Sequence, residues 1–224
     1  MTPGENTLKL VNDLFNQGTE HIILLMRHSA REYEPGRHDL LNPLTEEGRM
    51  LAKDLGRKLP KSVIIRGYTS PAERCVDTAE QIMAGHKENG GQVMRNRVVE
   101  ALGVFYVLDQ MKMFMAMQAA GGLVGFQRQW FSGEVSPDIL MPADLSANLI
   151  AGLAKEKLKE KLSEPRVDLM VSHDFTLYLL KHQLLGQDSE RYPNVIYLDG
   201  IAIFERDGRT YIQSHHEAAV ELKI

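Results

Sequence analysis

The sequence contains very little cysteine and no long apolar run. Cys75 is the single cysteine among 224 residues, which excludes an internal disulfide and a metal site built from several cysteines. No apolar stretch approaches the roughly 18 to 20 residues that a membrane-spanning helix requires. Residues 1–17 are too polar to form the apolar core of a signal peptide. These absences predict a cytoplasmic protein in a reducing compartment, without a membrane partner.

Excess charge of one sign is also absent. The formal net charge is -4, which gives no general attraction to nucleic acids, so we expect no nucleic-acid partner and any anion site must be local. The hydrophobic and charged fractions are those of an ordinary globular protein, and the length is sufficient for one substantial core. The composition therefore predicts a single domain over residues 1–224.

What the sequence does contain is an alternation of apolar strand-like runs with amphipathic helical segments. Strands are predicted at 21–26, 63–68, 92–99, 167–171, 195–204 and 209–214. Helices are predicted at 6–15, 46–59, 71–83 and 175–185. Such alternation predicts an α/β fold of three layers, in which a mostly parallel central sheet is covered by helices on both faces.

Residues 103–165 depart from this alternation and are predicted to form a helical insertion. The segment includes four methionines at alternate positions from Met111 to Met117 and the single tryptophan, Trp130. One interpretation is a cap over the sheet edge that contacts the leaving group of a substrate. The other is ordinary helical packing with methionine as an adaptable filler, which we favour for any single residue in the segment.

Histidines and arginines cluster where two buried strands are predicted to end. Arg27-His28-Ser29-Ala30-Arg31 follows the first strand, and His173 follows the strand at 167–171. Arg74 lies in the first turn of the helix that Ser70 and Pro71 are predicted to start. Carboxyl ends of parallel strands meet at one sheet edge, and arginine forks bind phosphate oxygens. The first cluster alone could be a charged strand end, but the three together predict a phosphoryl pocket.

These residues resemble the histidine phosphatase superfamily, also called phosphoglycerate-mutase-like. The matching segments are Arg27-His28-Ser29, Leu44-Thr45-Glu46-Glu47-Gly48, Ser70-Pro71-Ala72-Glu73-Arg74 with Thr78-Ala79, and Ser172-His173. The resemblance covers most of the chain outside the insertion, although Ser29 stands where the family pattern has glycine. Arg31 and the His173-Asp174 pair are more similar to the acid-phosphatase branch than to the mutase branch.

The resemblance and the chemistry of the residues imply the same roles. His28 would attack phosphorus and form a phosphohistidine. The non-bridging oxygens would be held by Arg27, Arg31, Arg74 and His173. Asp174 is the preferred general acid for the leaving oxygen. The alternative is Glu100, which follows the third strand and resembles the position of the acid in the mutase-like branch.

The expected function is that of a phosphomonoester hydrolase acting on a small phosphorylated metabolite, without a metal or a cofactor. A phosphomutase could use the same pocket, although Arg31 and His173-Asp174 disfavour it. A protein that binds phosphorylated ligands without catalysis is the third possibility. The sequence indicates neither the identity of the phosphomonoester nor the oligomeric state.

Overall fold

One central sheet organises the protein. The computed structural model describes residues 2–34, 41–192 and 194–224. The strands in these ranges are β1 (His21–Arg27), β2 (Ile64–Thr69), β3 (Gln92–Val98), β4 (Arg166–Ser172), β5 (Gly200–Arg206), β6 (Arg209–Ser214) and β7 (Val220–Glu221). The helices are α1 (Glu5–Asn16), α2 (Glu46–Lys58), α3 (Glu73–Glu88), α4 (Gln110–Ala119), α5 (Leu123–Phe131), α6 (Ala143–Leu158) and α7 (Asp174–Leu185). The described residues include no helix long and apolar enough to cross a membrane.

The seven described strands lie in the order β3-β2-β4-β1-β5-β6-β7. Pairing is parallel from β3 to β1 and antiparallel from β1 through β5 and β6 to β7. Strands β5 and β6 form a hairpin, and Asp207 and Gly208 between them have φ of 51° and 71°, as a type I′ turn requires. β4 lies beside β1, so the segments that follow these two strands meet at the same edge of the sheet.

The two faces of the sheet are covered by different helices, which confirms the predicted three layers. Ile22, Leu24 and Met26 of β1 belong to an apolar cluster with buried residues of α1, α2 and α3. Ile23 and Leu25 belong to a second cluster with buried residues of α6 and α7. Successive side chains of a strand point to opposite faces, so a strand with apolar residues at every position is buried on both sides.

Several predicted boundaries were wrong, including the end of α3, which lies at Glu88 rather than near residue 83. Helix α3 begins at Glu73 rather than at Pro71, and the Ser70 hydroxyl contacts His173 Nε2 at 2.9 Å instead of capping the helix from the N-cap position. Strand β5 begins at Gly200 rather than at residue 195. Leu198 has a φ of 62°, and this left-handed conformation is incompatible with a continuous strand.

The segment predicted as a helical insertion occupies two different places. Helix α6 covers the sheet, because Ala147, Ala151 and Ala154 are fully buried in the cluster shared with β1 and β5. Helices α4 and α5 precede it in residues 103–142, which we call the cap. Trp130 of α5 is buried, and its Nε1 donates to the Met141 carbonyl at 2.8 Å. The tryptophan therefore has a packing role.

A buried ionic network crosses the sheet away from the strand ends that carry the histidines. Asp168 of β4 is fully buried and accepts hydrogen bonds from Arg66 Nε and Nη2 at 2.7 and 2.6 Å and from His21 Nε2 at 3.1 Å. Burial alone would raise the pKa of Asp168, but the bonds from His21 and Arg66 outweigh it and lower that pKa. Arg66 therefore holds two strands together.

Candidate active site

His28 and His173 face each other across the ends of two adjacent strands. The His28 backbone N–H donates to the Ser172 carbonyl at 3.0 Å, which continues the pairing of β1 with β4. The two imidazole rings are nearly perpendicular, with centroids 5.7 Å apart. Both residues are at least 95 % buried. The two sequence-predicted histidines thus meet at the base of one pocket.

The contacts of His28 define which ring nitrogen is available for chemistry. Nδ1 lies 2.8 Å from the Ser29 carbonyl oxygen, and Nε2 lies 3.1 Å from Arg74 Nε. A carbonyl can only accept and a guanidinium can only donate, so Nδ1 carries the proton and Nε2 carries the lone pair. Burial, assisted by the charges of Arg74 and Arg27, lowers the pKa of His28 well below 6.5 despite the hydrogen bond to Ser29. His28 is therefore neutral near pH 7.

Arg74 connects the two histidines. It lies in the first turn of α3 and is 3 % exposed. Besides the Nε contact with His28, its Nη2 lies 3.3 Å from His173 Nδ1. Cys75 is adjacent, but burial raises the pKa of its thiol to about 12, so the cysteine is not a nucleophile near neutral pH.

Arg27 and Asp174 form an ion pair at the same edge. Arg27 Nη2 lies 2.9 Å from Asp174 Oδ2, and Arg27 Nη1 donates to the Val195 carbonyl at 2.6 Å. The guanidinium also lies over the Tyr197 ring, 4.3 Å from its centroid. Asp174 is the first residue of α7, and its Oδ1 accepts a hydrogen bond from the Phe175 N–H. Sequence reasoning missed Tyr197, for which no motif gives a signal.

Arg31 lines the pocket, whereas Glu100 does not. The backbone of Arg31 forms an isolated bridge with Leu44, and its Nη1 donates to the Glu32 carbonyl at 3.2 Å. Glu100 is exposed and begins a 3-10 turn after β3. Six of the seven predicted site residues thus border one pocket, namely Arg27, His28, Arg31, Arg74, His173 and Asp174.

Ser29 and Gly48 fix the loop that carries the histidine. Ser29 Oγ donates to the Gly48 carbonyl at 2.7 Å, and Ser29 N–H donates to Thr78 Oγ1 at 3.0 Å. A Cβ on Gly48 would lie 2.0 Å from the Ala30 carbonyl oxygen, so this close approach requires glycine. The matched motifs around Gly48 and Thr78 therefore have a positioning role, which the resemblance alone did not identify.

The cap supplies an apolar wall opposite the charged residues. The cavity measures about 200 Å³. Its remaining lining residues are apolar and are Val104, Val107, Met113, Met117, Leu123, Phe126 and Phe175. Sequence reasoning proposed a cap contact but named no residue, although the i, i+4 spacing of Met113 and Met117 places them on one helix face. The described residues bring together no group of three or more His, Cys, Asp or Glu suited to a metal ion.

Comparison with known proteins assigns the chain to a family. The family model described as histidine phosphatase superfamily (branch 1) matches residues 23–211. The chain belongs to the histidine phosphatase superfamily. The matching model is that of branch 1, so the acid-phosphatase branch suggested by Arg31 and His173-Asp174 is not confirmed. A search of curated protein sequences gave no match.

Three solved structures share the fold. A phosphoserine phosphatase mutant from Entamoeba histolytica has a TM-score of 0.53 at 16% identity, covering 88% of this chain and 100% of its own. Phosphoglycerate mutase from Bacillus anthracis has a TM-score of 0.54 at 17% identity, covering 88% of this chain and 94% of its own. YhfR from Bacillus stearothermophilus has a TM-score of 0.55 at 18% identity, covering 88% of this chain and 98% of its own. At these identities the similarity shows the fold alone.

Proposed function

We propose that this histidine phosphatase superfamily member hydrolyses small phosphomonoesters through a phosphohistidine on His28. The observation that carries the proposal is a neutral, buried imidazole whose Nε2 lone pair faces a pocket bordered by three arginines and a second histidine. An imidazole in this state is a competent nucleophile at neutral pH. Positioned positive charge is the main requirement of phosphoryl transfer.

The proposed reaction has two steps. In the first, Nε2 of His28 attacks phosphorus, the bond from phosphorus to the ester oxygen breaks, and that oxygen takes a proton from the general acid. In the second, water attacks the phosphohistidine and gives a proton to the residue that acted as the general acid in the first step. This step releases inorganic phosphate and neutral His28. The non-bridging oxygens are held by Arg27, Arg31, Arg74 and His173. Binding of phosphate moves the Arg74 guanidinium from Nε2 to a phosphate oxygen and exposes the lone pair.

Asp174 is the proposed general acid because it is the only carboxylic acid among the described residues that line the pocket. In the structure it forms an ion pair with Arg27. A bound phosphate dianion would compete for Arg27 and weaken that pair. Glu100 is the competing candidate because it follows β3. It is not among the residues that line the pocket.

The assignment of the acid is tested by comparing Asp174→Asn with Glu100→Gln. We expect Asp174→Asn to lower kcat/KM, which reports the first step, by about 10²- to 10⁴-fold, the usual contribution of a general acid. The loss should be large for an alkyl phosphate and small for p-nitrophenyl phosphate, whose leaving group needs little protonation. A normal rate for Asp174→Asn together with this pattern in Glu100→Gln would transfer the role to Glu100.

The function itself is tested with p-nitrophenyl phosphate in the presence of EDTA, beside His28→Ala. We expect turnover that resists EDTA, disappears in His28→Ala, and passes through an acid-labile phosphoenzyme. Turnover that EDTA abolishes would overturn a metal-independent mechanism. Absence of turnover, with retained binding of phosphate, would support the non-catalytic alternative. Transfer of the phosphoryl group to a second alcohol group faster than to water would indicate a mutase.

A further inference from the structure

The pocket is divided into a charged floor and an apolar roof. The charged or ionisable lining residues all come from the end of β1, the segments that follow β1 and β4, and the start of α3. Every lining residue that the cap contributes is apolar. A phosphomonoester bound with phosphorus near His28 Nε2 therefore directs its alcohol portion toward an apolar surface.

The cationic side chains of the described lining suffice for a single phosphate group. The described lining residues include three arginines, Arg27, Arg31 and Arg74, and the proposed function assigns all three to the phosphate. A phosphomonoester carries between one and a half and two negative charges near pH 7. Among the described residues, the lining therefore offers no further arginine or lysine for a carboxylate or a second phosphate on the substrate.

The apolar roof has both rigid and adaptable parts. Phe126 stacks on Phe175 with ring centroids 6.5 Å apart, and Phe175 stacks on the buried Trp130 at 5.0 Å. Met113 and Met117 lie on the face of α4 that packs toward the core, whereas Met115 on the same helix is 62 % exposed. Aromatic rings offer a flat contact surface, and methionines adjust to groups of different shape.

Resting on the proposed function, we propose that the substrates are phosphomonoesters of apolar alcohols, alkyl or aryl, without a second anionic group. The floor binds the phosphate, and the roof binds the hydrocarbon portion between the Phe126–Phe175 stack and the methionines of α4. This class differs from phosphorylated hydroxy acids and sugar bisphosphates, in which the carbon portion carries further charge.

The test compares three alkyl phosphates whose leaving oxygens are chemically similar. These are ethyl phosphate, hexyl phosphate, and the phosphate ester of 6-hydroxyhexanoate, which has the hexyl length but ends in a carboxylate. We expect kcat/KM for hexyl phosphate to exceed that for each of the other two by at least about tenfold, since each methylene in an apolar pocket can contribute about that much. Equal values, or a preference for the carboxylate, would overturn the proposal.

Two methionines of one helix provide a matched pair of variants. Met117→Gln places an amide in the roof, so we expect the ratio of kcat/KM for hexyl phosphate to that for ethyl phosphate to fall about tenfold. Met115→Gln makes the same change on the exposed side and should leave the ratio unaltered. Equal effects of the two variants would contradict the assignment of the roof. The wild-type comparison stands without the variants if Met117→Gln does not fold.

A separate measurement distinguishes failure of this inference from failure of the proposed function. Phosphoramidate is a small phosphoryl donor without a carbon portion, so its reaction with His28 does not depend on the roof. Formation of phosphohistidine with no preference among the alkyl phosphates would overturn the substrate class alone. No phosphohistidine and no turnover of any ester would overturn both.

Discussion

Replacement of Ser29 by alanine separates the structural role of this residue from catalysis. Ser29 stands where the family pattern has glycine, but its hydroxyl donates to the Gly48 carbonyl and it does not line the pocket. Loss of one such buried hydrogen bond costs about 1 kcal/mol. Gly48 lies in the first turn of α2, where its carbonyl oxygen also accepts an intrahelical bond, so the cost should not exceed this value. We expect the melting temperature to fall by about 2–4 °C.

Activity should respond differently from stability. We expect kcat/KM of Ser29→Ala toward p-nitrophenyl phosphate to stay within about twofold of wild type, because alanine preserves the backbone that holds His28. Ser29→Gly should lose a further 0.4–1 kcal/mol, roughly, through the greater freedom of the unfolded chain. The loss of stability is measured by thermal unfolding followed by circular dichroism. The change in kcat/KM is measured from steady-state rates on the same samples.

Thr78→Val is the informative comparison for Ser29→Ala. Thr78 Oγ1 accepts from the Ser29 N–H and donates to the Arg74 carbonyl at 2.7 Å, so it links the loop that carries His28 to α3. Valine has a similar shape but leaves a buried N–H unpaired, at a cost of about 1–3 kcal/mol. We expect this variant to lose activity as well as stability. A tenfold loss of kcat/KM in Ser29→Ala would refute the reasoning, because it would place the hydroxyl in the reaction.

Three further predictions concern pH, the buried network and a close backbone approach. Because the folded-state pKa of His28 is lowered well below 6.5, its ring should stay neutral in an NMR titration down to mildly acidic pH; protonation near 6.5 would contradict its described burial. Asp168→Asn should destabilise the protein by about 3–5 kcal/mol at pH 7, measured by urea unfolding. Because the pKa of the Asp168 carboxyl is lowered in the folded state, the difference in stability from wild type should shrink as the pH falls below about 4. An unchanged difference there would argue against an ionised Asp168. Gly48→Ala should unfold more easily and lose activity, since its Cβ would meet the Ala30 carbonyl. Gly152→Ala has open space around its Cβ in α6 and should be stabilised by up to about 1 kcal/mol. Equal effects of the two variants would refute the steric argument.

The strand-end histidines were predictable because two physical rules act in the same direction. Continuous apolar runs such as residues 21–26 are buried on both faces, and parallel strands end at a common edge. His28 and His173 could therefore be placed together without knowledge of the strand order. Thr45 was likewise predictable as a helix cap, and its Oγ1 accepts from the Gly48 N–H at 2.8 Å.

Other features depend on tertiary contacts that leave no local signal. The segment before β5 is apolar enough to resemble a strand, yet the left-handed Leu198 interrupts it and the Val195 carbonyl accepts from Arg27 instead. The apolar residues of helix α4 are spread around its circumference, so their periodicity does not show that Met117, rather than Met115, borders the pocket. The pairing of Arg27 with Asp174 also follows from the distance between two side chains rather than from any spacing in the sequence.

The separation of floor and roof has a consequence for protein engineering and for evolution. Most roof residues belong to one continuous stretch of chain, from Val104 to Phe126, while the residues proposed to bind phosphate come from other parts of the sequence. On that proposal, exchanging the stretch for the corresponding segment of a relative would alter the surface that meets the carbon portion without changing any side chain assigned to phosphate. Variation confined to one short segment would then diversify the substrate range while the reaction chemistry stays constant.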